Sequence, residues 1–248
     1  MVLRKNLAVI ARRYLARKTA NLDDSADIDT IWKNARRTKA IQHVFRTLVE
    51  MSGKRERCMY CDDSRGTTIE HFWPKSAYRK KCFCWENMLL LCQGCQSHKG
   101  NRFDLDSSGN PLLINPTMED PWDFVFFEET TGILTGRYDP KLQAPDPKGA
   151  HTTNRRTLPL NIEAVTEGRL RTKRNLQRAI RTFIQNVEQG RSLAQAEHEL
   201  METIRDNDDY GLTVWYFLRD GQESLPFRRL KTEWPRTWKA VQLCVSPV

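Results

Sequence analysis

The chain has 248 residues, 39% hydrophobic and 29% charged, with a formal net charge of +9. That length suits one domain with extensions or two small ones, and it can bury a core without disulfides. No 18-residue apolar run exists, which excludes a membrane-spanning helix, and seven cysteines, an odd number with four in metal-ligand spacing, favour a reducing cytoplasm over a disulfide framework.

The charge is uneven. Residues 1–57 carry 14 Lys/Arg against 6 Asp/Glu, residues 103–150 carry 3 against 9, and residues 151–248 carry 16 against 12. A basic surface attracts a polyanion through its long-range field and through counterion release. The acidic middle argues against a uniformly basic binding face.

In chain order, residues 1–57 read as a basic helical region. Leu3, Leu7, Ile10, Ala11, Tyr14 and Leu15 share a helical face, and charges interrupt them, so no continuous signal-peptide core is present. The stretch NLDDSADID is a polar break with capping residues. Ile41, Val44, Phe45, Leu48 and Val49 repeat the stripe, which Ser52-Gly53 ends.

Residues 58–102 carry the chemistry. Cys58/Cys61 and Cys92/Cys95 form two Cys-x-x-Cys knuckles, each of which supplies two thiolates from one tight turn to a tetrahedral Zn²⁺. Cys82, Cys84 and Cys244 read as packing or free thiols. Between the knuckles, Thr67, Thr68 and Ile69 favour a strand that Pro74 ends, so Glu70 and His71 point to opposite faces. Asn87 precedes a second strand-like run, Met88 to Leu91. That run enters the second knuckle, which opens a helix bearing Gln96, His98 and Lys99. Lys99 and Arg102, near the helix start, are candidates to hold phosphate. His43, His151 and His198 have no ligand-like neighbours and read as ordinary residues.

Residues 103–150 are rich in Gly, Pro and Asn. FVFF (124–127) and ILTGRY (133–138) read as two short strands joined by a turn at Thr131-Gly132. Residues 151–248 return to the helical period. Asn161 is a candidate N-cap, and Leu176, Ala179, Ile180, Phe183, Ile184 and Val187 form a stripe ending at Gly190. Leu193, Ala196, Leu200 and Ile204 mark another helix, and the last forty residues, with Trp215, Trp234 and Trp238, read as helical. Trp32 and Trp122 join those three as core candidates.

The strand–loop–strand–helix block, with its Cys-x-x-Cys pairs, Glu70-His71, Pro74, Asn87 and Lys99-Gly100, resembles the HNH (ββα-metal) nucleases. The resemblance implies that His71 is the general base, that Glu70 is the acidic metal ligand, and that Asn87 orients the histidine from the loop. The family's third signature residue, His or Asn, has Gln96 in its place here, so either Gln96 or His98 completes the metal site. Such a site pairs a base of near-neutral pKa with one Mg²⁺ or Mn²⁺ that neutralises charge on the phosphate. The expected fold class is α+β: a mainly helical protein with a central zinc-stapled HNH core and a small β-hairpin insertion.

A narrower resemblance joins IEHFWPKS, the W-x-N-x-LLL-C-x-x-C-x-x-x-KGNRF string, PLLINPTMEDP and NRRTLPLNIEAV. These are similar to the PtuB family of Septu anti-phage systems and of some retrons. That similarity implies a cytoplasmic effector cutting DNA or RNA, an ABC/SMC-like PtuA ATPase as partner and, in a retron, a reverse transcriptase with its RNA-linked DNA. Two other classes remain: a zinc-ribbon nucleic-acid binding module without catalysis, and a scaffold subunit that only licenses an ATPase complex.

Overall fold

The computed structural model describes residues 4–23 and 27–245. Three helices come first: α1 (Val9–Ala20), α2 (Ile28–Ala35) and α3 (Lys39–Met51). Strands β1 (Thr68–His71) and β2 (Met88–Leu91) and helix α4 (Gln93–Lys99) follow. Next are β3 (Val125–Phe127), β4 (Leu134–Gly136), β5 (Tyr138–Asp139), β6 (Ala144–Pro145) and α5 (Pro147–Thr153). The chain ends in α6 (Glu163–Glu188), α7 (Leu193–Asp206), α8 (Leu212–Leu218), α9 (Phe227–Glu233) and α10 (Pro235–Val245). The secondary structure is therefore mixed: helices, with three two-stranded sheets among the described residues. None of the described helices is long and apolar enough to cross a membrane.

Contacts divide the chain into two units, Met1–Phe126 with Leu134–Asn161, and Phe127–Ile133 with Ile162–Val248. The first unit begins with the expected helices. The Asp27 carboxylate accepts from the N–H groups of Asp29 and Thr30 and so starts α2; Thr38 caps α3 in the same way. Leu7, Ala11 and Leu15 are buried as expected, but Ile10 is 74% exposed. Within α1, at 100° per residue, Ile10 lies about 120° from the midpoint of Ala11 and Leu15, which explains its place in solvent. Leu3 falls outside the described residues. Helix α3 stops at the Ser52 cap, with Gly53 at φ +71°.

β1 and β2 pair antiparallel, Thr68 opposite Leu91, Ile69 opposite Leu90, Glu70 opposite Leu89 and His71 opposite Met88. All four β2 residues are buried, whereas β1 alternates, with Ile69 and His71 inward. These strands share one apolar core with Trp32, Ile41, Val44, Leu48, Leu113 and Leu158. Farther on, Asp146 accepts from the Gly149 N–H and starts α5, with Pro147 at the first helical position. Gly149 lies so close to the Phe124 carbonyl that a Cβ would come within 1.9 Å of its oxygen. The two strands expected around Thr131-Gly132 form as β3 and β4.

In the second unit α6 buries Leu176, Ala179, Ile180, Phe183 and Ile184, leaves Val187 half-buried, and is followed by Gly190 at φ +83°. Its N-cap position is Ile162, not Asn161. The Asn161 carboxamide instead accepts from the Leu134 N–H and donates to the carbonyls of Leu134 and Thr153, which leaves it no group for a helix end. Helix α7 buries Ala196, Leu200 and Ile204 but leaves Leu193, its first residue, 46% exposed. Trp215 and Trp238 are buried, and Trp234 is half-buried with its ring 5.7 Å from Phe183. Trp32 and Trp122 are buried in the first unit.

Candidate functional site

The four knuckle cysteines converge. Their sulfurs lie within 4.8 Å of one another, all four residues are buried, and Cys61 Sγ is 3.8 Å from Cys92 Sγ. A zinc ion about 2.3 Å from each sulfur sets the edges of its tetrahedron at about 3.8 Å, so the spacing fits the ion. The backbone prepares it: Cys92 is the N-cap of α4, and its sulfur accepts from the Cys95 N–H at 3.4 Å. Thiol contacts with Cys58 push the pKa of Cys61 and of Cys92 down, whereas contacts with their partner thiols push Cys58 and Cys95 up. Metal binding requires the thiolate form, so a cation entering the cluster displaces thiol protons. Among the described residues no second group of three His, Cys, Asp or Glu side chains gathers in this way. Cys82 is buried, and Cys84 and Cys244 are half-buried, all three as free thiols.

Glu70 and His71 take opposite faces of β1, as the strand period requires. On one face Glu70 meets α4. Its Oε2 accepts from Gln96 Nε2 at 3.1 Å, and its Oε1 accepts from Lys99 Nζ at 3.1 Å. Lys99 is entirely buried and donates also to the His71 carbonyl at 2.6 Å. Burial pushes its pKa down and the Glu70 carboxylate opposes that shift. The expectation of Lys99 as a phosphate holder near a helix start is therefore corrected: it is the last residue of α4, with its ammonium committed to Glu70. Glu70 supplies a carboxylate, and Gln96, whose amide nitrogen faces Glu70, supplies an amide oxygen once its side chain turns; these are donor types that a hard divalent ion completed by water takes. His98 does not join them; its Nδ1 lies 3.0 Å from the Gly94 carbonyl of its own helix.

On the other face His71 is 3% exposed, with the Trp32 ring edge-on at 4.5 Å. Its Nε2 is 2.9 Å from the Cys82 carbonyl oxygen. A carbonyl only accepts, so Nε2 carries the proton and the lone pair sits on Nδ1. Burial pushes the His71 pKa down to about 3 against the raising effect of that carbonyl, so the ring is neutral at physiological pH and its pKa lies well below the near-neutral value expected of the base.

Asn87 is buried and makes no contact with the imidazole among its hydrogen bonds. Its Oδ1 accepts from the Trp73 N–H at 2.7 Å, and its Nδ2 donates to the Trp73 carbonyl at 3.1 Å and the Lys81 carbonyl at 3.0 Å. It thus ties both ends of the loop between the strands. The Lys81 carbonyl it holds adjoins Cys82, whose own carbonyl holds His71. Arg4 braces the loop from outside, donating to the carbonyls of Trp85, Glu86 and Met88 and to the Thr117 hydroxyl.

Three of these roles escaped the sequence reading. Lys99 had a usable signal, since it lies three residues beyond Gln96 and shares its helix face. Trp32 and Arg4 act across 39 and 81 residues of chain, and no local pattern points to such contacts.

No family model matches the chain. It is similar to a protein named Septu protein PtuB from Bacillus thuringiensis, 37% identical over 79 residues, which is 30% of this chain and 28% of that protein. It is also similar to a Septu protein PtuB from Bacillus mycoides (strain KBAB4), 32% identical over 108 residues, 32% of this chain and 36% of that protein. The aligned stretches thus span only about a third of these relatives' own length.

Proposed function

We propose that this chain is a metal-dependent HNH-type endonuclease that hydrolyses nucleic-acid phosphodiesters as the effector of a Septu-type anti-phage system. The observation that carries the reading is the setting of His71. It ends β1 directly after Glu70 in sequence, on the opposite face of the strand, and its Nε2 faces a backbone carbonyl that leaves the Nδ1 lone pair as the basic atom. The similarity to two Septu PtuB proteins supports the defence role, and an ABC/SMC-like PtuA ATPase is the proposed partner.

In this mechanism His71 takes a proton from the attacking water at Nδ1, and the Cys82 carbonyl stabilises the imidazolium that results. Asn87 is a positioning residue that keeps the Lys81–Cys82 segment in place behind the ring. Glu70 and Gln96 would hold Mg²⁺ or Mn²⁺, which supplies neutralisation of the developing phosphate charge. The Cys58, Cys61, Cys92 and Cys95 cluster fixes the β1–α4 distance on which the Glu70–Gln96 pairing depends.

A second reading has its own observation. The Glu70 carboxylate already bears the Lys99 ammonium, an arrangement suited to a zinc-ribbon binding or scaffold subunit without catalysis. A cleavage assay separates the two. Plasmid DNA and total RNA are incubated with wild type and His71→Ala, with Mg²⁺ or Mn²⁺, alone and with the ATPase partner. Cutting that vanishes in the variant, with zinc content unchanged, is the expected result. Absence of cutting by wild type under every condition would favour the binding module.

A further inference from the structure

A cavity of about 360 Å³ opens in the first unit beyond the C-terminal end of α4. Arg102 and Phe103 line one side; His151, Asn154 and Arg156, from the end of α5 and the turn after it, line the other. Its volume lies in the lower range of small-ligand cavities, larger than a bare phosphate needs. Neither the cysteine cluster nor the Glu70 group uses it.

The lining is cationic and partly unsatisfied. Arg156 has no hydrogen-bond or ion-pair partner for its guanidinium among the described residues, yet its backbone N–H is fixed by the Asn154 side chain at 2.9 Å. Arg102 spends one N–H on the His98 carbonyl and keeps the others. The carboxylate in the lining, Asp104, lies 3.5 Å from His151 Nδ1. His151 Nε2 is buried away from solvent with no hydrogen-bond partner, so the ring meets the cavity through its other atoms. Phe103 is held by the Trp73 ring at 4.7 Å and the Tyr78 ring at 5.8 Å, so it forms a rigid apolar wall.

A cavity that combines two guanidiniums and an aromatic wall has the chemistry of one nucleotide. We propose that it is a subsite for an unpaired nucleotide of a polynucleotide strand, with Arg102 and Arg156 on a backbone phosphate and Phe103 against the base. Its rim is tied to the proposed catalytic loop, because the Ser76 hydroxyl bonds to Asn101 Oδ1 at 3.1 Å and Asn101 lines the same cavity. The proposal rests on the nuclease reading for its substrate class, but binding can be read without cutting.

The test uses the full chain carrying His71→Ala, so that no cleavage intervenes, and a fluorescently labelled 20-nucleotide oligothymidylate followed by anisotropy over a salt series. Adding Arg156→Gln should weaken binding roughly fivefold to tenfold and lower the slope of log affinity against log salt by about 0.7. Arg181→Gln, at an exposed position of α6, should change neither by more than a small fraction of that. Phe103→Leu should weaken the oligonucleotide while leaving competition by inorganic phosphate unchanged, which separates a nucleotide site from a bare phosphate site. Equal losses in the two arginine variants, an unchanged Arg156→Gln, or no binding by the parent at low salt would each overturn the subsite. The wild-type cleavage assay is independent of all three, so failure of the nuclease reading is seen separately.

Discussion

The Lys99 ammonium lies 3.1 Å from Glu70 Oε1 and 2.6 Å from the His71 carbonyl, with its side chain wholly buried. One cation thereby ties the last turn of α4 to the end of β1. Removing one member of a buried pair leaves the other charge uncompensated, at a cost of about 3–5 kcal/mol. Lys99→Met should therefore lower the denaturant-derived stability of the zinc-loaded protein by that order, and Lys99→Met/Glu70→Leu should recover much of the loss. A single variant as stable as wild type would show that water, not Lys99, satisfies Glu70.

The cysteine cluster predicts one zinc per chain. Ligand thiolates release protons on metallation, and structural zinc sites couple about 10–16 kcal/mol of binding to folding. Cys58→Ser or Cys92→Ser should lose the zinc in metal analysis and broaden the thermal transition. Strong chelators should do the same to wild type, whereas Cys84→Ser and Cys244→Ser should keep full zinc occupancy.

His71 makes the fold sensitive to acid. Its folded pKa, about 3, lies below the ordinary value of 6.5. Above pH 6.5 both folded and unfolded chains hold it neutral, and it adds no pH dependence. Between pH 6.5 and 3 the unfolded chain takes up the proton and the folded chain does not, so stability falls with pH by up to about 1.4 kcal/mol per unit. Urea titrations at pH 7, 6 and 5 should show this slope, and His71→Phe should flatten it. Parallel slopes in the two proteins would place the acid sensitivity elsewhere.

Asn87→Ala strips partners from the Trp73 N–H and carbonyl at the start of the loop and from the Lys81 carbonyl in its middle. At about 1–3 kcal/mol for each buried group left unmatched, and less than additively, a loss near 3 kcal/mol is expected. If the loop also positions His71, Asn87→Ala should lower the cleavage rate at saturating substrate while zinc content stays at one, with little change in KM. A change confined to KM would assign Asn87 to substrate contact.

Much of this was legible because the governing signals are local. Two Cys-x-x-Cys turns, alternation along β1, and the stripes of α3 and α6 each depend on spacings of two to four residues. Gln96 and His98 could not be ranked from sequence, because the choice depends on which side of α4 faces β1; the structure puts Gln96 on Glu70 and His98 on Gly94. Asn161 looked like a cap because asparagine is a good one, but a carboxamide can also close a strand end, and here Leu134 claims it. Arg4 counted only as one of the 14 basic residues in positions 1–57, yet burial and three carbonyls hold it, and burial pushes its pKa down to about 10.

The order of the cysteines also bears on what a protease would achieve. Cys58 and Cys61 precede the loop between β1 and β2, and Cys92 and Cys95 follow it. With zinc bound, a nick within residues 72–87 would cut the covalent chain but not the metal bridge, and the β1–β2 ladder would still align the two pieces. Denaturing gels of such a sample would show two fragments, and native mass spectrometry a single particle, until a chelator let them part.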